Sequence, residues 1–265
     1  MFEEALQIAR SNPEGDRWAE ARALTSLASV ISPVGDETEC LALAEQALAI
    51  GRDMDDRFTI AVAQSYIGAS LRRMWRLEES LPAEDEAVRT FRDLGARWEL
   101  ASAIGDRGSV HRLAGRLGPA EADLREALKL CRQIGDRSLL GWTAGELSRI
   151  LLAKGDPAAA RQVLDQPPVG VTISEDQASL LAAEALLERI AGDADRSAAL
   201  AQELLRSEIA QGQVNYAAAR TWWVGRLFGE DLIGGAEAMA EARRTLETHH
   251  WIQAIREPEL WNGGQ

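Results

Sequence analysis

Three histidines and two cysteines are the side chains in these 265 residues best suited to metal or nucleophilic chemistry, and their spacing supports neither. His249 and His250 are consecutive, so on a helix they point in different directions and cannot close on one ion as an i, i+4 pair can. A Cys–His dyad would require Cys131 to meet a histidine across the fold, which nothing in the pattern provides. Acidic residues are plentiful, but no carboxylate pair for acid–base work stands out from ordinary charged helix surface. No Gly-x-x-x-x-Gly-Lys-Ser/Thr phosphate loop occurs. The expectation is a protein without catalysis, metal or cofactor.

What recurs is arginine. Arg17, Arg57, Arg97 and Arg137 stand forty residues apart, Asp16, Asp56 and Asp136 precede three of them, and Trp18, Phe58 and Trp98 follow three. Half a unit on comes a second mark, Gly35, Trp75, Gly115 and Gly155. Periods of this length mean stacked supersecondary units. Small residues keep the same register at Ala28, Gly68, Gly108 and Ser148, and again twelve residues later at Cys40, Ser80, Ala120 and Ala160. Undersized side chains at both places let two antiparallel helices approach closely. The Asp/Arg turns therefore read as structural: the aspartates cap helices and the arginines reach the adjacent turn. Trp18, Phe58, Trp98 and Trp75 are expected to pack between successive hairpins.

The elements that must carry these marks are helices. Apolar residues at helical spacing predict them over 17–31, 37–52, 56–73, 77–93, 97–113, 118–133, 137–153 and 157–165. The pattern resumes over 174–190, 195–209, 213–228 and 235–248, with a tail helix near 249–258. Residues 2–11 read as the second helix of an incomplete pair or as an N-terminal cap. Three segments follow. Residues 1–166 hold the helix remnant and four forty-residue repeats, and 167–173 form a Pro-rich break around Pro167 and Pro168. Residues 174–265 hold two degenerate pairs and a C-terminal capping helix. The fold class is all-α, a solenoid of about six antiparallel helix pairs.

The net charge of −13 repels nucleic acid and anionic membranes and favours a basic or mixed-charge partner. No apolar run is long enough for a membrane span, and the start shows no secretory signal. Cys40 and Cys131 fall in helices of non-adjacent repeats, so a disulfide is not expected and a reducing cytoplasm is the simplest location. Arginine far outnumbers the two lysines, Lys129 and Lys154, as GC-rich bacterial coding would produce. Tyr216, Trp222, Trp223, Trp251 and Trp261 gather late in the chain. Buried, they would seal the end of the solenoid; exposed, they would offer a patch for self-association.

Leu27-Ala28 and Ile67-Gly68, with the small residues after them, resemble the Leu-Gly pair of the tetratricopeptide repeat, in a forty-residue form. The resemblance is strong across 15–166 and weaker across 174–248. The Gly-Asp-Arg exit turns are similar to the sensor repeats of large ATP-binding transcription activators from high-GC bacteria. It implies a right-handed superhelix whose first helices line a concave groove, and His111 then falls at a bulky inter-helix position. By that register the groove would present Arg22, Tyr66, Arg72, Asp106, Arg112, Trp142, Glu146 and Arg149. Arginines there could grip partner carboxylates in pairs of hydrogen bonds, with Tyr66 and Trp142 as anchors. As plain solvated faces, Arg112 and Arg149 would instead pair with acidic residues of neighbouring repeats. The family's Lys/Asn clamp for a C-terminal carboxylate has no counterpart at these positions. The implied role is a non-enzymatic, regulatory protein- or peptide-binding scaffold. The alternative is an effector sensor for a small molecule within a larger signalling ATPase or transcription regulator. A closed pocket between Trp142 and the late aromatics would favour the effector, an open trough the peptide.

Overall fold

The computed structural model describes residues 2–11, 16–32, 35–165, 175–206 and 213–262. After α1 (Phe2–Ser11) come the hairpins α2 (Arg17–Ile31) with α3 (Glu37–Asp53) and α4 (Arg57–Arg73) with α5 (Leu77–Leu94). Next are α6 (Arg97–Leu113) with α7 (Leu117–Ile134) and α8 (Arg137–Ala153) with α9 (Pro157–Leu164). The array continues as α10 (Glu175–Ala191) with α11 (Ala194–Arg206) and α12 (Val214–Phe228) with α13 (Ala236–Thr248). A 3₁₀ turn (Glu230–Ile233) joins the last two, and α14 (Ile252–Arg256) and α15 (Glu259–Asn262) follow. These are six helix pairs, and every regular element among the described residues is helical. None of these helices is long and apolar enough to cross a membrane. The expected break at 167–173 lies outside the described residues.

Aspartate side chains start α2, α3, α4, α8 and α9. Asp16, Asp136 and Asp156 accept from the backbone N–H three residues on at 2.8–2.9 Å, and Asp36 and Asp56 from the N–H two residues on. Left-handed residues end α3 to α8, one every twenty: Asp55, Trp75, Gly95, Gly115, Gly135 and Gly155 all have φ between +51° and +80°. The next N–H then reaches back to close the helix, as Arg76 N does to Leu71 O at 2.8 Å and Asp156 N to Leu151 O at 2.9 Å.

Hairpins close at the small residues. Ser80 Oγ donates to Gly68 O at 2.8 Å, and a Cβ on Gly68 would sit 2.4 Å from Glu84 Oε1. A Cβ on Gly108 would meet Leu124 Cγ at 2.9 Å. The same contact recurs twelve residues apart in the fifth hairpin, where Ser197 Oγ donates to Ala185 O at 3.0 Å. Cys40 and Cys131 are buried free thiols, pushed up to about 12 and about 11 by burial first of all. One core runs unbroken from Leu124, Leu147 and Leu164 to Leu186, Leu200 and Trp223, so α10 stacks on α8 as the next layer.

The curve closes on itself. Asn215, in the last pair, donates to Ser32 O at 2.8 Å and Gly35 O at 3.0 Å in the first. Glu37 N donates to His249 O, His249 Nδ1 meets Asn215 Oδ1 at 2.6 Å, and His250 Nδ1 lies 3.0 Å from Asp36. The tail helix differs from expectation for the same reason. His250 is left-handed (φ 59°), and Trp251 N bonds back to Leu246 O at 2.8 Å. The chain therefore turns at 249–251, and α14 packs on the last hairpin through Ala254 and Ile255 while reaching Arg72 of α4 through Gln253.

Candidate functional site

The sides of α4, α6 and α8 that face the inside of the curve carry arginines and carboxylates in one connected network. Arg72 donates to Asp106 Oδ1 at 3.1 Å and to Gln253 Oε1 at 2.8 Å. Arg112 donates through Nε to Glu146 Oε2 at 3.1 Å, and its Nη2 lies 2.9 Å from Glu257 Oε1. Arg149 reaches the same Glu257 oxygen at 2.7 Å and also pairs with Glu146. Ser109 Oγ donates a further hydrogen bond to Glu146 at 3.1 Å. Arg72, Arg112, Glu146 and Glu257 are all buried. Arg112 pairs with Glu146 of the next repeat, but Arg112 and Arg149 are largely shielded rather than on solvated faces, and both also reach Glu257 of the tail.

Electrostatics in this network follow from burial working against pairing. Burial pushes the Glu257 carboxyl up, but Arg112 and Arg149 together outweigh it and hold the group at about 2. Burial, opposed by Glu257 and reinforced by Arg112 and Arg72, brings the Arg149 guanidinium down to about 10. Buried donors at Arg72 Nε, Arg112 Nη1 and Arg149 Nε have no hydrogen-bond partner. The wall therefore holds more donor capacity than its own acceptors use.

A partly enclosed cavity of ≈ 550 Å³ opens beside these groups, lined by Arg72, Arg149, Trp142, Tyr216, Trp223 and Trp251 among others. Trp142 is set in place by α6, where its ring covers Gly105 so closely that a Cβ there would lie 2.5 Å from the ring. A second cavity of ≈ 420 Å³ adjoins it, lined by Tyr66, Phe58, Phe91, Arg73 and Trp98. Tyr66 is half-buried, and burial raises its phenol above the ordinary range. Burial opposes the charge on Arg73, but Glu37 at 3.7 Å outweighs it and keeps the guanidinium protonated.

Of the eight residues assigned to the groove by register, Tyr66, Arg72, Asp106, Trp142, Glu146 and Arg149 line the two cavities, and Arg112 lies behind them in the same network. Arg22 stands apart: it is exposed, lies over the Trp18 ring at 4.6 Å and lines neither cavity. Three aromatics differ from the packing role expected of them. Trp18, Phe58 and Trp98 are 46%, 41% and 49% exposed, because they occupy the second position of their helices, at the edge of the stack. Phe58 and Trp98 consequently line the cavities, and their forty-residue spacing was the signal for that role. The arginines beside them act as staples within one hairpin: Arg17 to Asp53 at 3.0 Å, Arg57 to Asp93 at 2.8 Å and Arg97 to Gln133 at 2.7 Å. All three are solvated and contribute little. The late aromatics Trp222, Trp223 and Trp251 are buried rather than forming an exposed patch: Trp223 and Trp251 line the far wall of the chamber, and Trp222 packs in the core of the last hairpin. Among the described residues, no group of three or more His, Cys, Asp and Glu side chains could hold a metal ion.

Residues 99–166 match the tetratricopeptide repeat family model. Among solved structures, a Rap protein complexed with competence and sporulation factor is similar at a TM-score of 0.64 and 16% identity, over 97% of this chain and 70% of that one. The apo form of RapI is similar at 0.57 and 14%, over 99% and 92%. A signal transduction ATPase with numerous domains and a tetratricopeptide repeat sensor, from Pyrococcus horikoshii, gives 0.53 and 16%. The similarity covers 99% of this chain and 41% of that one. No curated protein matches the sequence. At these identities the likeness to solved structures concerns the fold. Residues 99–166 thus match tetratricopeptide repeats, and the array as a whole shares the fold of these helical-repeat structures.

Proposed function

We propose that the chain is a non-enzymatic regulatory module that takes a peptide segment of a partner protein into the chamber between its first helices and its C-terminal pairs. The observation that carries this reading is the convergence of Trp142, Arg72 and Arg149 on one preformed, partly enclosed space, with Tyr66 in the adjoining one and Arg112 bonded to the same Glu146 and Glu257 as Arg149. Its mechanism is anchoring by aromatic rings, with the arginines taking carboxylates in a setting largely shielded from water. The net charge of −13 draws in the basic part of a mixed-charge segment and discourages nucleic acid and anionic membranes. The Rap neighbour complexed with a factor lends the fold, not the ligand, to this reading.

A second reading, a small effector in the same chamber, is favoured by one feature. The larger cavity is bounded by Trp142 on one side and by Tyr216, Trp223 and Trp251 on the other, and ≈ 550 Å³ is a common volume for a small-molecule site. In either case the module would act in the cytoplasm as part of a larger regulatory system.

The test is selection of binders from a random peptide library on the whole chain, followed by affinity measurement on variants. Trp142→Ala should weaken selected peptides on the order of 30-fold, about 2 kcal/mol for a buried anchor. Arg89→Ala, on the exposed face of α5, should leave them unchanged. Selected peptides that bind the Trp142 variant as tightly as the parent would overturn the groove reading. Binders found only in a small-molecule screen, and sensitive to Trp142→Ala, would transfer the site to the second reading.

A further inference from the structure

The concave wall is already occupied by part of the chain itself. After the turn at His250, residues 252–257 lie across the arginine row, with Gln253 on Arg72 at 2.8 Å and Glu257 between Arg112 at 2.9 Å and Arg149 at 2.7 Å. Gln253 and Glu257 are one helical turn apart and bonded to each other at 3.3 Å, so they present their polar ends to the wall together. Arg256 meanwhile lies over the Trp75 ring at 5.4 Å. The segment is thus a short mixed-charge helix seated in a groove of matching chemistry.

Its two faces are held differently: Ala254 and Ile255 pack on the core of the last hairpin and Ile255 O accepts from Trp222 Nε1 at 3.0 Å, whereas toward the arginine row the hold is polar. None of the five residues of α14 is buried, whereas Glu257 is 7% exposed and its carboxylate joins two separate first helices. Toward α6 and α8 this one side chain carries the attachment, and a competing carboxylate could take over its bonds. Removing the segment would also free donors beside the three guanidinium N–H groups that already lack partners.

We infer that residues 252–257 are a displaceable internal ligand, and that the chamber's true ligand is a mixed-charge helical peptide whose carboxylate takes the place of Glu257. This deepens the peptide reading above and rests on it. The occupant seen in the groove is itself a peptide, which is why a peptide is chosen over a small acid.

The probe is a fluorescein-labelled synthetic peptide with the sequence of residues 249–260, with a second peptide carrying Glu257→Gln. Anisotropy is read against the whole native chain and against the whole chain with Glu257→Gln. The variant chain should bind the first peptide at least tenfold more tightly than the native chain does, and the Gln peptide at least tenfold more weakly than the first. Equal affinity of both chains for the first peptide, or no binding by either, would sink the inference. Should the variant chain fail to fold, amide exchange of the native chain decides. Residues 252–257 should exchange at least a hundredfold faster than the cores of α4, α6 and α8, and equal rates would overturn the idea. Library-selected peptides that depend on Trp142 but leave exchange at 252–257 unchanged would remove the displaceable segment while the groove reading stands.

Discussion

Glu84 shows how much a single position can weigh. It is fully buried beneath Gly68, neither of its oxygens has a hydrogen-bond partner, and burial followed by the nearby Asp106 raises its pKa well above 4.5. The folded protein therefore holds this proton more tightly than the unfolded chain does. Stability from that difference is fully present below the unfolded value and is lost as pH rises through the folded one. Glu84→Gln, the neutral isostere, should leave thermal stability unchanged near pH 4 and raise it at pH 8; an unchanged melting temperature at pH 8 would mean the charge is accommodated. The sequence showed an acidic residue in a helix, not its burial. The arginines were more legible. Arg72, Arg112 and Arg149 follow from register, whereas Glu257, the shared partner of Arg112 and Arg149, lies 108 residues beyond Arg149 in a segment with no repeat. Trp98 was visible as a repeated aromatic, yet only the folded edge of the stack reveals that it is half exposed and faces the cavities.

Helices follow from the sequence to within a few residues where their ends are written locally, by a capping aspartate at the start of α2, α3, α4, α8 and α9 or a left-handed residue at the stop, as after α5 and α7. Asp55 is informative, an exposed non-glycine residue with φ +51° in the exit-turn slot that is Gly95 and Gly135 in the next two repeats. Asp55→Gly should stabilise by about 1 kcal/mol, roughly 2–4 °C in a chain of this size, and a fall in melting temperature would contradict the account of the turns. Packing between hairpins was less legible where it depends on backbone contact. A Cβ on Gly145 would lie 2.6 Å from the carbonyl carbon and oxygen of Ser179, so α10 cannot give way by moving a side chain. Gly145→Ala should cost about 1–3 kcal/mol, while Gly118→Ala, with open space around it, should be neutral or slightly stabilising. Equal denaturation midpoints for the two variants would show that α8 and α10 are not in that contact. The tail helix was misplaced by three residues because a left-handed histidine carries no signal that distinguishes it from helix interior.

At the scale of the whole molecule the closure of the curve is what local reasoning missed, since its bonds join residues more than 180 apart. It converts an open trough into a chamber and brings Glu257 to the arginine row. Glu257 is held at about 2 against an ordinary 4.5, so its contribution is fully present above pH 4.5 and is lost as pH falls toward 2. Trp251 and α14 should accordingly loosen within that window before the helices unfold. Tryptophan fluorescence and helical circular dichroism followed on one acid titration should show two transitions, and a single shared transition would contradict this. The most direct measurement is amide exchange of the native chain with and without a saturating library-selected peptide. The account predicts slowed exchange at residues 66–73, 105–112 and 142–149, on the inner faces of α4, α6 and α8. Protection confined to α3, α5 and α7 would place binding on the outer surface and contradict it.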